Sequence, residues 1–245
     1  MLGLLLFISG VMNVALVKAV RFFYARELAV RRQPRSLRAG AHTGNQSGIR
    51  VLLLGDSRMA EWPELPANYY TINAGAPAET TAQILLGARA VLDSEKPDVV
   101  VIQAGINDLK AIGVSPADAV EIKTNCFRNL CELVALARER QAKVILTLIL
   151  PGGKIPIARR LFWSEEVNRA VIEVNQQLSH LYGGQPGIVI LDLRKVLADD
   201  NSATSLLDNY RDALHLKPEA YQKLQAALLA LLEQPRTPAK EPAKN

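Results

Sequence analysis

Short apolar runs alternate with longer amphipathic segments through most of this chain. Residues 51–54 read Val-Leu-Leu-Leu and are followed directly by Gly55. An unbroken run of this kind is typical of a parallel strand that is buried on both faces. In the longer segments, apolar residues recur three and four positions apart, as at Ile84, Leu85 and Ala88, which predicts helices. Alternation of such strands and helices predicts an α/β fold in which helices cover both faces of a mainly parallel sheet.

Five strands and four helices are predicted within residues 49–233, which form the folded domain. The predicted strands are residues 50–54, 69–73, 98–103, 143–150 and 187–191. The predicted helices are roughly residues 79–94, 116–140, 164–181 and 218–232. Pro116 and Pro218 suit the first turns of two of these helices, where no backbone N–H is needed. The expected architecture is a three-layer α/β/α sandwich around a five-stranded sheet.

The positive charge of the chain is concentrated before this domain. The formal net charge is +5, but residues 1–50 hold eight basic side chains against Glu27 alone, so the rest of the chain carries −2. Nucleic-acid-binding domains instead carry a clustered basic surface. No nucleic-acid partner is therefore predicted.

The N-terminal segment has the pattern of a membrane anchor. Residues 1–17 contain no charged side chain and are rich in Leu, Val and Ile, which is at the lower limit for spanning a bilayer core. Lys18 and Arg21 follow, and the aromatic residues 22–24 suit a membrane interface. We therefore predict an uncleaved single-pass anchor at residues 1–24, with the domain on the cytoplasmic face because the basic residues follow the apolar run. A signal peptide that exports the domain and a buried globular helix are the alternatives.

Two further segments are predicted to lie outside the folded domain. Residues 25–48 are rich in Arg and contain Pro, Ser, Gly and Asn, which is typical of a basic linker. Residues 234–245 contain three prolines interleaved with lysine and are predicted to be disordered. Cys126 and Cys131 are the only cysteines, and no pair of Cys or His has metal-ligand spacing. Neither a metal ion nor another cofactor is therefore predicted.

Polar residues and a glycine follow the ends of three successive predicted strands. Ser57 comes after the first strand, Gly75 after the second and Asn107 after the third. In open α/β sheets ligands bind beyond the carboxyl ends of the strands, so these residues are expected to lie close together. Near the C-terminus, Asp212 precedes His215 by three positions, a spacing that lets a carboxylate orient an imidazole within one loop.

Four short motifs, in this order, resemble those of the SGNH, or GDSL, hydrolase family. The motifs are Gly55-Asp56-Ser57, Asn73-Ala74-Gly75, Gly105-Ile106-Asn107-Asp108 and Asp212-Ala213-Leu214-His215. Each motif is weak alone, but all four stand at the expected strand ends. The resemblance covers about residues 50–232, and with the alternation of elements it predicts a flavodoxin-like order of strands in the sheet.

The resemblance implies a role for each of these residues. Ser57 would be the nucleophile, and His215 would act first as general base and then as general acid. Asp212 would hold the tautomer of the imidazole. The backbone N–H groups of Ser57 and Gly75 and the side-chain amide of Asn107 would bind the oxyanion of the tetrahedral intermediate.

The resemblance also implies a reaction on ester bonds. Members of the family act on carboxylic esters, lysophospholipids, acyl thioesters or O-acetylated sugars, and some transfer acyl groups to other acceptors. We therefore predict a serine esterase or lipase-type hydrolase that acts on a small-molecule or lipid ester, or on a thioester, through an acyl-enzyme. An acyltransferase for O-acetyl transfer and a non-catalytic binding module are the alternatives.

Departures from the family pattern occur beside the predicted nucleophile and in the second motif. Arg58 follows Ser57, where a smaller or apolar residue is more usual. Ala78 and Glu79 stand where many relatives carry a second glycine and an aspartate. Arg58 and Glu79 are therefore predicted to contact substrate, and we hypothesise that Arg58 favours an anionic group. A surface arginine that packs its stem on Trp62 is the alternative for Arg58.

Overall fold

The computed structural model describes residues 2–30, 42–157, 163–198 and 206–234. The predicted tail at 234–245 lies outside these ranges except for its first residue, as does part of the predicted linker. In the described ranges the strands are β1 His42–Gly44, β2 Ile49–Gly55, β3 Tyr69–Gly75, β4 Val99–Gln103, β5 Lys143–Thr147 and β6 Ile188–Leu191. The α-helices there are α1 Leu2–Val30, α2 Ser57–Ala60, α3 Thr81–Glu95, α4 Ile106–Leu109, α5 Ala119–Glu139, α6 Glu165–Tyr182, α7 Leu193–Leu197 and α8 Pro218–Leu232.

The strands form one sheet in the order β1-β3-β2-β4-β5-β6. Strands β2 to β6 are parallel, which confirms the predicted α/β sandwich and its mainly parallel sheet. The sheet nevertheless has six strands where five were predicted, because β1 pairs antiparallel with β3 at the edge. This strand spans only three residues, and it lies inside the polar segment predicted as a linker, so no apolar period marks it.

Apolar side chains cover both faces of the central strand β2. Leu52 and Leu54 pack on one face with residues of α3, α5 and α6. Val51 and Leu53 pack on the other face with residues of α2, α7 and α8. All four side chains are fully buried. This two-sided burial explains why the strand reads as an unbroken apolar run in the sequence.

The N-terminal helix α1 runs from Leu2 to Val30 as a single element. The uncharged part of its sequence ends at Val17, whereas about 20 consecutive apolar residues are needed to span a bilayer core. In the part of the chain that the structure describes, no helix is long and apolar enough to cross a membrane. The predicted membrane anchor at residues 1–24 is therefore wrong, and so is the predicted location on a membrane.

Two glycines at the carboxyl ends of β2 and β3 let neighbouring backbone segments approach very closely. A Cβ atom on Gly55 would lie 2.0 Å from the carbonyl oxygen of Gln103 in β4. A Cβ atom on Gly75 would lie 2.2 Å from the backbone nitrogen of Ala60 in α2. Only glycine avoids both collisions. Helix α2 can therefore pack directly against the end of β3, which keeps Ser57 at the carboxyl edge of the sheet.

Candidate active site

Ser57 is the first residue of α2 and follows the central strand β2 by two positions. Asp56 caps this helix, because its Oδ1 accepts the backbone N–H of Arg58 at 2.9 Å. The backbone N–H of Asp56 in turn donates to the carbonyl oxygen of Gln103 at 3.1 Å. The turn is thus joined to both α2 and β4, and it leaves the Ser57 side chain half-buried at the edge of the sheet.

A loop before α8 brings His215 to Ser57 across 158 positions of sequence. The distance from His215 Nε2 to Ser57 Oγ is 3.2 Å. On the opposite side of the ring, His215 Nδ1 lies 2.9 Å from Asp212 Oδ2 and 3.1 Å from Oδ1. Because an ionised carboxylate only accepts hydrogen bonds, Nδ1 carries the proton and Nε2 accepts from the serine hydroxyl. Ser57, His215 and Asp212 therefore form a continuous hydrogen-bonded series.

The loop that holds Asp212 and His215 is closed by its own backbone. Tyr210 and Leu216 form an antiparallel bridge across its base. Within the loop, Asp212 Oδ1 accepts the backbone N–H groups of Leu214 at 2.8 Å and His215 at 2.9 Å. The same carboxylate therefore fixes both the backbone and the side chain of His215.

These contacts set the pKa of Asp212. Burial by itself would raise this pKa, but the backbone N–H groups of His215 and Leu214, together with the His215 imidazole, lower it to about 2. Asp212 is therefore ionised at any pH at which an esterase is ordinarily assayed.

The depressed pKa predicts how the stability of the fold depends on pH. Because the folded-state value of about 2 lies below the ordinary value of 3.8, ionised Asp212 stabilises the fold above about pH 4, and this contribution is lost as the pH falls towards 2. The Asp212 side chain is 46 % exposed, so we expect at most about 1 kcal/mol. In urea unfolding, the gap in unfolding free energy between the wild type and Asp212→Asn should narrow on acidification. A difference in unfolding free energy that stays constant with pH would contradict the lowered pKa of Asp212 in the folded state.

Gly75 and Asn107, the other predicted oxyanion donors, are both held by neighbouring groups. The backbone N–H of Gly75 donates to Asn73 Oδ1 at 2.9 Å, so a substrate oxygen would share this donor with a carboxamide. The Asn107 side chain is buried, and its Nδ2 donates to the carbonyl oxygen of Glu79 at 2.9 Å. Lys110 Nζ donates to Asn107 Oδ1 at 2.7 Å.

The contact from Lys110 fixes which way the Asn107 amide points. An ammonium group can only donate, so the oxygen of the amide must face Lys110 and its NH₂ group must face the other way. The sequence analysis did not single out this lysine, and it assigned no role to Asn73, although it placed Asn73 in the second motif. The available signals were the three-residue spacing of Lys110 from Asn107 on a helical turn and the position of Asn73 two residues before Gly75, which suits an Asx turn.

Asp108, next to Asn107, connects α4 with the start of α3. Thr81 donates to its carboxylate twice, from the hydroxyl at 2.6 Å and from the backbone N–H at 2.9 Å. Asn129 Nδ2 donates to the same hydroxyl at 3.1 Å. Burial raises the pKa of Asp108 to about 6, although the Thr81 hydrogen bonds act in the opposite direction. Helix α4, which carries Asn107, is therefore tied to α3 directly and to α5 through Thr81.

The two residues predicted to contact substrate are both buried, among different partners. Glu79 is buried beside Asn107, whose amide binds its carbonyl oxygen, and a contact of Glu79 with substrate stays a prediction. Arg58 is only 1 % exposed, and its guanidinium donates to three backbone carbonyl groups. The structure does not bring Arg58 to a surface that a substrate could reach. The alternative of a surface arginine does not describe it either.

A cavity of about 620 Å³ lies beyond the carboxyl ends of β5 and β6. Most of its wall is apolar, formed by side chains that include Leu148, Ile149, Val171 and Leu206. Neither Ser57 nor His215 lines this cavity. Pro151 belongs to its wall and is also one of the three residues whose carbonyl groups bind Arg58.

Several solved structures are similar to this fold. A GDSL-like lipase from Bacteroides thetaiotaomicron is 22 % identical with a TM-score of 0.60, and the match covers 88 % of this chain and 98 % of that one. The carbohydrate acetylesterase Est24 from Sinorhizobium meliloti is 17 % identical with a TM-score of 0.56, covering 75 % and 97 %. An acetyl xylan esterase, AlAXEase, is 18 % identical with a TM-score of 0.55, covering 75 % and 100 %. No curated protein matches the sequence.

The sequence model of the GDSL-like Lipase/Acylhydrolase family matches residues 39–223, which is most of the chain. The chain belongs to this family, as its four motifs predicted. Membership of this family makes the protein an ester-bond hydrolase.

Proposed function

We propose that Ser57, His215 and Asp212 hydrolyse a carboxylic ester or thioester through an acyl-enzyme intermediate. The observation that carries the proposal is the hydrogen-bonded series from Ser57 Oγ through the His215 ring to the Asp212 carboxylate. A serine hydroxyl is a poor nucleophile until a base removes its proton, and His215 Nε2 lies within reach of that proton. The Asp212 carboxylate keeps the other ring nitrogen protonated, so that Nε2 stays available as the base.

The proton follows the same path in both half-reactions. As Ser57 Oγ attacks the carbonyl carbon, its proton passes to His215 Nε2, and the resulting imidazolium donates that proton to the leaving alcohol or thiol. The bond to the leaving group breaks, and the acyl group stays on Oγ. His215 then takes a proton from water, whose oxygen attacks the acyl carbon. Return of the proton to Ser57 Oγ releases the carboxylic acid and restores the enzyme.

Three donors are proposed to bind the oxyanion that forms in each half-reaction: the backbone N–H groups of Ser57 and Gly75 and the amide of Asn107. Stabilisation of this kind is effective when the donors are oriented before the charge develops. The orientation of the Asn107 amide by Lys110 and by the carbonyl oxygen of Glu79 supports this role, because the side chain need not reorganise during the reaction.

Loss of the Asn107 amide should slow catalysis without removing the nucleophile. We expect Asn107→Ala to lower kcat on the order of 10²–10³-fold, the usual effect of losing one oxyanion donor, while Ser57 still reacts with a fluorophosphonate probe. The matched control is Asn125→Ala, because Asn125 lies on α5, where its Oδ1 accepts a hydrogen bond from Arg128 on the exposed side. Equal kcat values for the two variants, measured on p-nitrophenyl acetate, would contradict the role of Asn107.

The test of the proposed function is a panel of p-nitrophenyl esters, from acetyl to palmitoyl, with the whole chain. For esters whose deacylation is slower than acylation, a burst of p-nitrophenol equimolar with enzyme and an acyl adduct on the Ser57 peptide are expected, since the acyl-enzyme then accumulates. Each ester is also assayed with an added alcohol acceptor. Transfer to that acceptor in preference to water would favour the acyltransferase, and absence of both labelling and turnover would favour the binding module.

A further inference from the structure

The guanidinium group of Arg58 is buried at the junction of three segments of the chain. Its Nε donates to the carbonyl oxygen of Leu214 at 2.7 Å, and its two terminal nitrogens donate to those of Leu150 at 2.8 Å and Pro151 at 3.0 Å. With 1 % of the residue exposed, it ranks among the largest fully buried side chains described. Burial of a charge is unfavourable unless hydrogen bonds compensate for lost water, so this position is maintained by specific contacts.

The guanidinium of Arg58 donates hydrogen bonds to backbone carbonyl groups and not to a carboxylate. Within the described ranges, no acidic side chain forms an ion pair with the guanidinium, and the centroid of the Tyr210 ring lies 5.9 Å from the guanidinium carbon. Carbonyl groups have positions fixed by the main chain, whereas an acidic side chain could follow the arginine if it moved. The guanidinium therefore joins two backbone segments, residues 150–151 and Leu214, to the segment that carries Arg58 itself.

The position of Arg58 in the sequence places these contacts next to the proposed catalytic residues. Arg58 follows Ser57 directly, and Leu214 precedes His215 directly. The 2.7 Å hydrogen bond between them therefore connects the backbone beside the proposed nucleophile to the backbone beside the proposed base. The hydroxyl of Tyr221 in α8 also donates to the carbonyl oxygen of Arg58 at 2.9 Å, which fixes its main chain.

We propose that Arg58 is a positioning residue, which sets the distance between Ser57 Oγ and His215 Nε2 by holding Leu214, Leu150 and Pro151 through its guanidinium. The proposal rests on the proposed roles of Ser57 and His215. The Asp212–His215 contact needs no such support, because both residues lie in one self-closed loop. The distance from this loop to Ser57, by contrast, depends on packing between segments that are far apart in sequence.

The chemistry of arginine suits this task better than that of lysine. A guanidinium presents five N–H donors in a rigid plane, which allows three carbonyl groups in different directions to be bound at once. A lysine ammonium is a compact group on a flexible stem and cannot reproduce the planar geometry. Arg58→Lys should therefore keep the charge but lose part of the positioning, and Arg58→Met should lose both.

Kinetics on p-nitrophenyl acetate with the whole chain give the first readout. We expect Arg58→Met to lower kcat by about 10²-fold, the usual effect of a displacement of about 1 Å between reacting groups, with KM nearly unchanged. Arg58→Lys should fall between this variant and the wild type. The control is Arg211→Met, because Arg211 lies in the same loop and binds Glu61 at 3.0 Å but is exposed, and its kcat should match the wild type.

NMR of the His215 ring gives a second readout that does not depend on activity. The ¹⁵Nε2 shift reports the hydrogen bond from Ser57, and Ser57→Ala supplies its value when that bond is absent. The Nδ1–H proton signal reports the bond to Asp212. The three histidines of the chain allow assignment by substitution of His42 and His180. In Arg58→Met and, to a smaller extent, in Arg58→Lys, we expect the Nε2 shift to move towards the Ser57→Ala value while the Nδ1–H signal persists.

These measurements separate positioning from simple loss of structure. If both His215 signals disappear in Arg58→Met and Arg58→Lys, Arg58 only maintains the folded loop and the proposal is overturned. An unchanged Nε2 shift overturns it as well, whatever kcat does. If the wild type hydrolyses no ester but the Nε2 shift still depends on Arg58, the proposed function fails and the positioning role stands.

Discussion

Replacement of Ser57 by alanine is expected to lower kcat for p-nitrophenyl esters by about 10⁵-fold or more, and to abolish labelling by a fluorophosphonate probe. The reason is that no acyl-enzyme can form without the hydroxyl that His215 Nε2 contacts at 3.2 Å. Turnover and probe labelling, measured on the same preparation, check the expectation independently of each other.

The control for this substitution is Ser94→Ala. Ser94 lies in the last turn of α3, where its hydroxyl donates to the carbonyl oxygen of Val91 at 3.1 Å. Its removal should leave both turnover and labelling as in the wild type. Esterase activity that persists in Ser57→Ala would show that another nucleophile is responsible, and the proposed role of Ser57 would then be abandoned.

Replacement of His215 by alanine is expected to lower kcat nearly as much as the loss of Ser57. Without the imidazole no group takes the proton of Ser57 Oγ, so the nucleophile is not activated. Because the two residues act as one unit, the double variant should be little slower than either single variant. Steady-state kinetics of the three variants form a thermodynamic cycle that measures this coupling directly.

His180→Ala provides the comparison for the second prediction. His180 is exposed near the end of α6, far along the chain from the other motifs, and its loss should not alter kcat. Multiplicative losses in the Ser57 and His215 double variant would mean that the two side chains contribute independently. That result would be incompatible with proton transfer between them.

Much of the sheet was predictable because its central strands are buried on both sides. Residues 51–54 form a continuous apolar run, and β2 indeed extends over them from Ile49 to Gly55. The predicted strand at 143–150 is three residues too long, although its apolar pattern continues to the end. Beyond Thr147, Asn175 bonds both the N–H and the carbonyl group of Ile149 at 2.8 Å. The Asn175 side chain thus takes the place of a neighbouring strand as hydrogen-bond partner of Ile149. An apolar pattern cannot reveal that the strand has already ended.

The edge strand β1 and the N-terminal segment were mispredicted for different reasons. Strand β1 is held by pairing with β3, a contact to residues some 30 positions away that leaves no local period in the sequence. The N-terminal segment has an apolar run without a helical period, and such a run is compatible both with a membrane-spanning helix and with a helix that does not span a membrane. Its composition alone therefore did not distinguish these two kinds of helix.

The residues of the site were predictable from the sequence, but the hydrogen bonds that orient them were not. The strand ends and the three-residue offset between Asp212 and His215 led to the residues that the structure brings together. The side chains that orient them were not predictable in this way. Arg58 reaches Leu214 across 156 positions, and only packing reveals that its side chain turns inwards. Its charge indicated a substrate contact, whereas its environment makes it a link between segments.

The self-closed loop from Tyr210 to Leu216 has a consequence for how such a site can change. Because the carboxylate, the imidazole and the hydrogen bonds between them all belong to seven consecutive residues, the acid–base pair moves as a rigid unit. Insertions elsewhere in the chain leave its internal geometry untouched and alter only how the whole loop is placed relative to Ser57. Grafting this loop beside a serine on another parallel sheet would therefore require its distance and its orientation to be designed, but not its internal geometry.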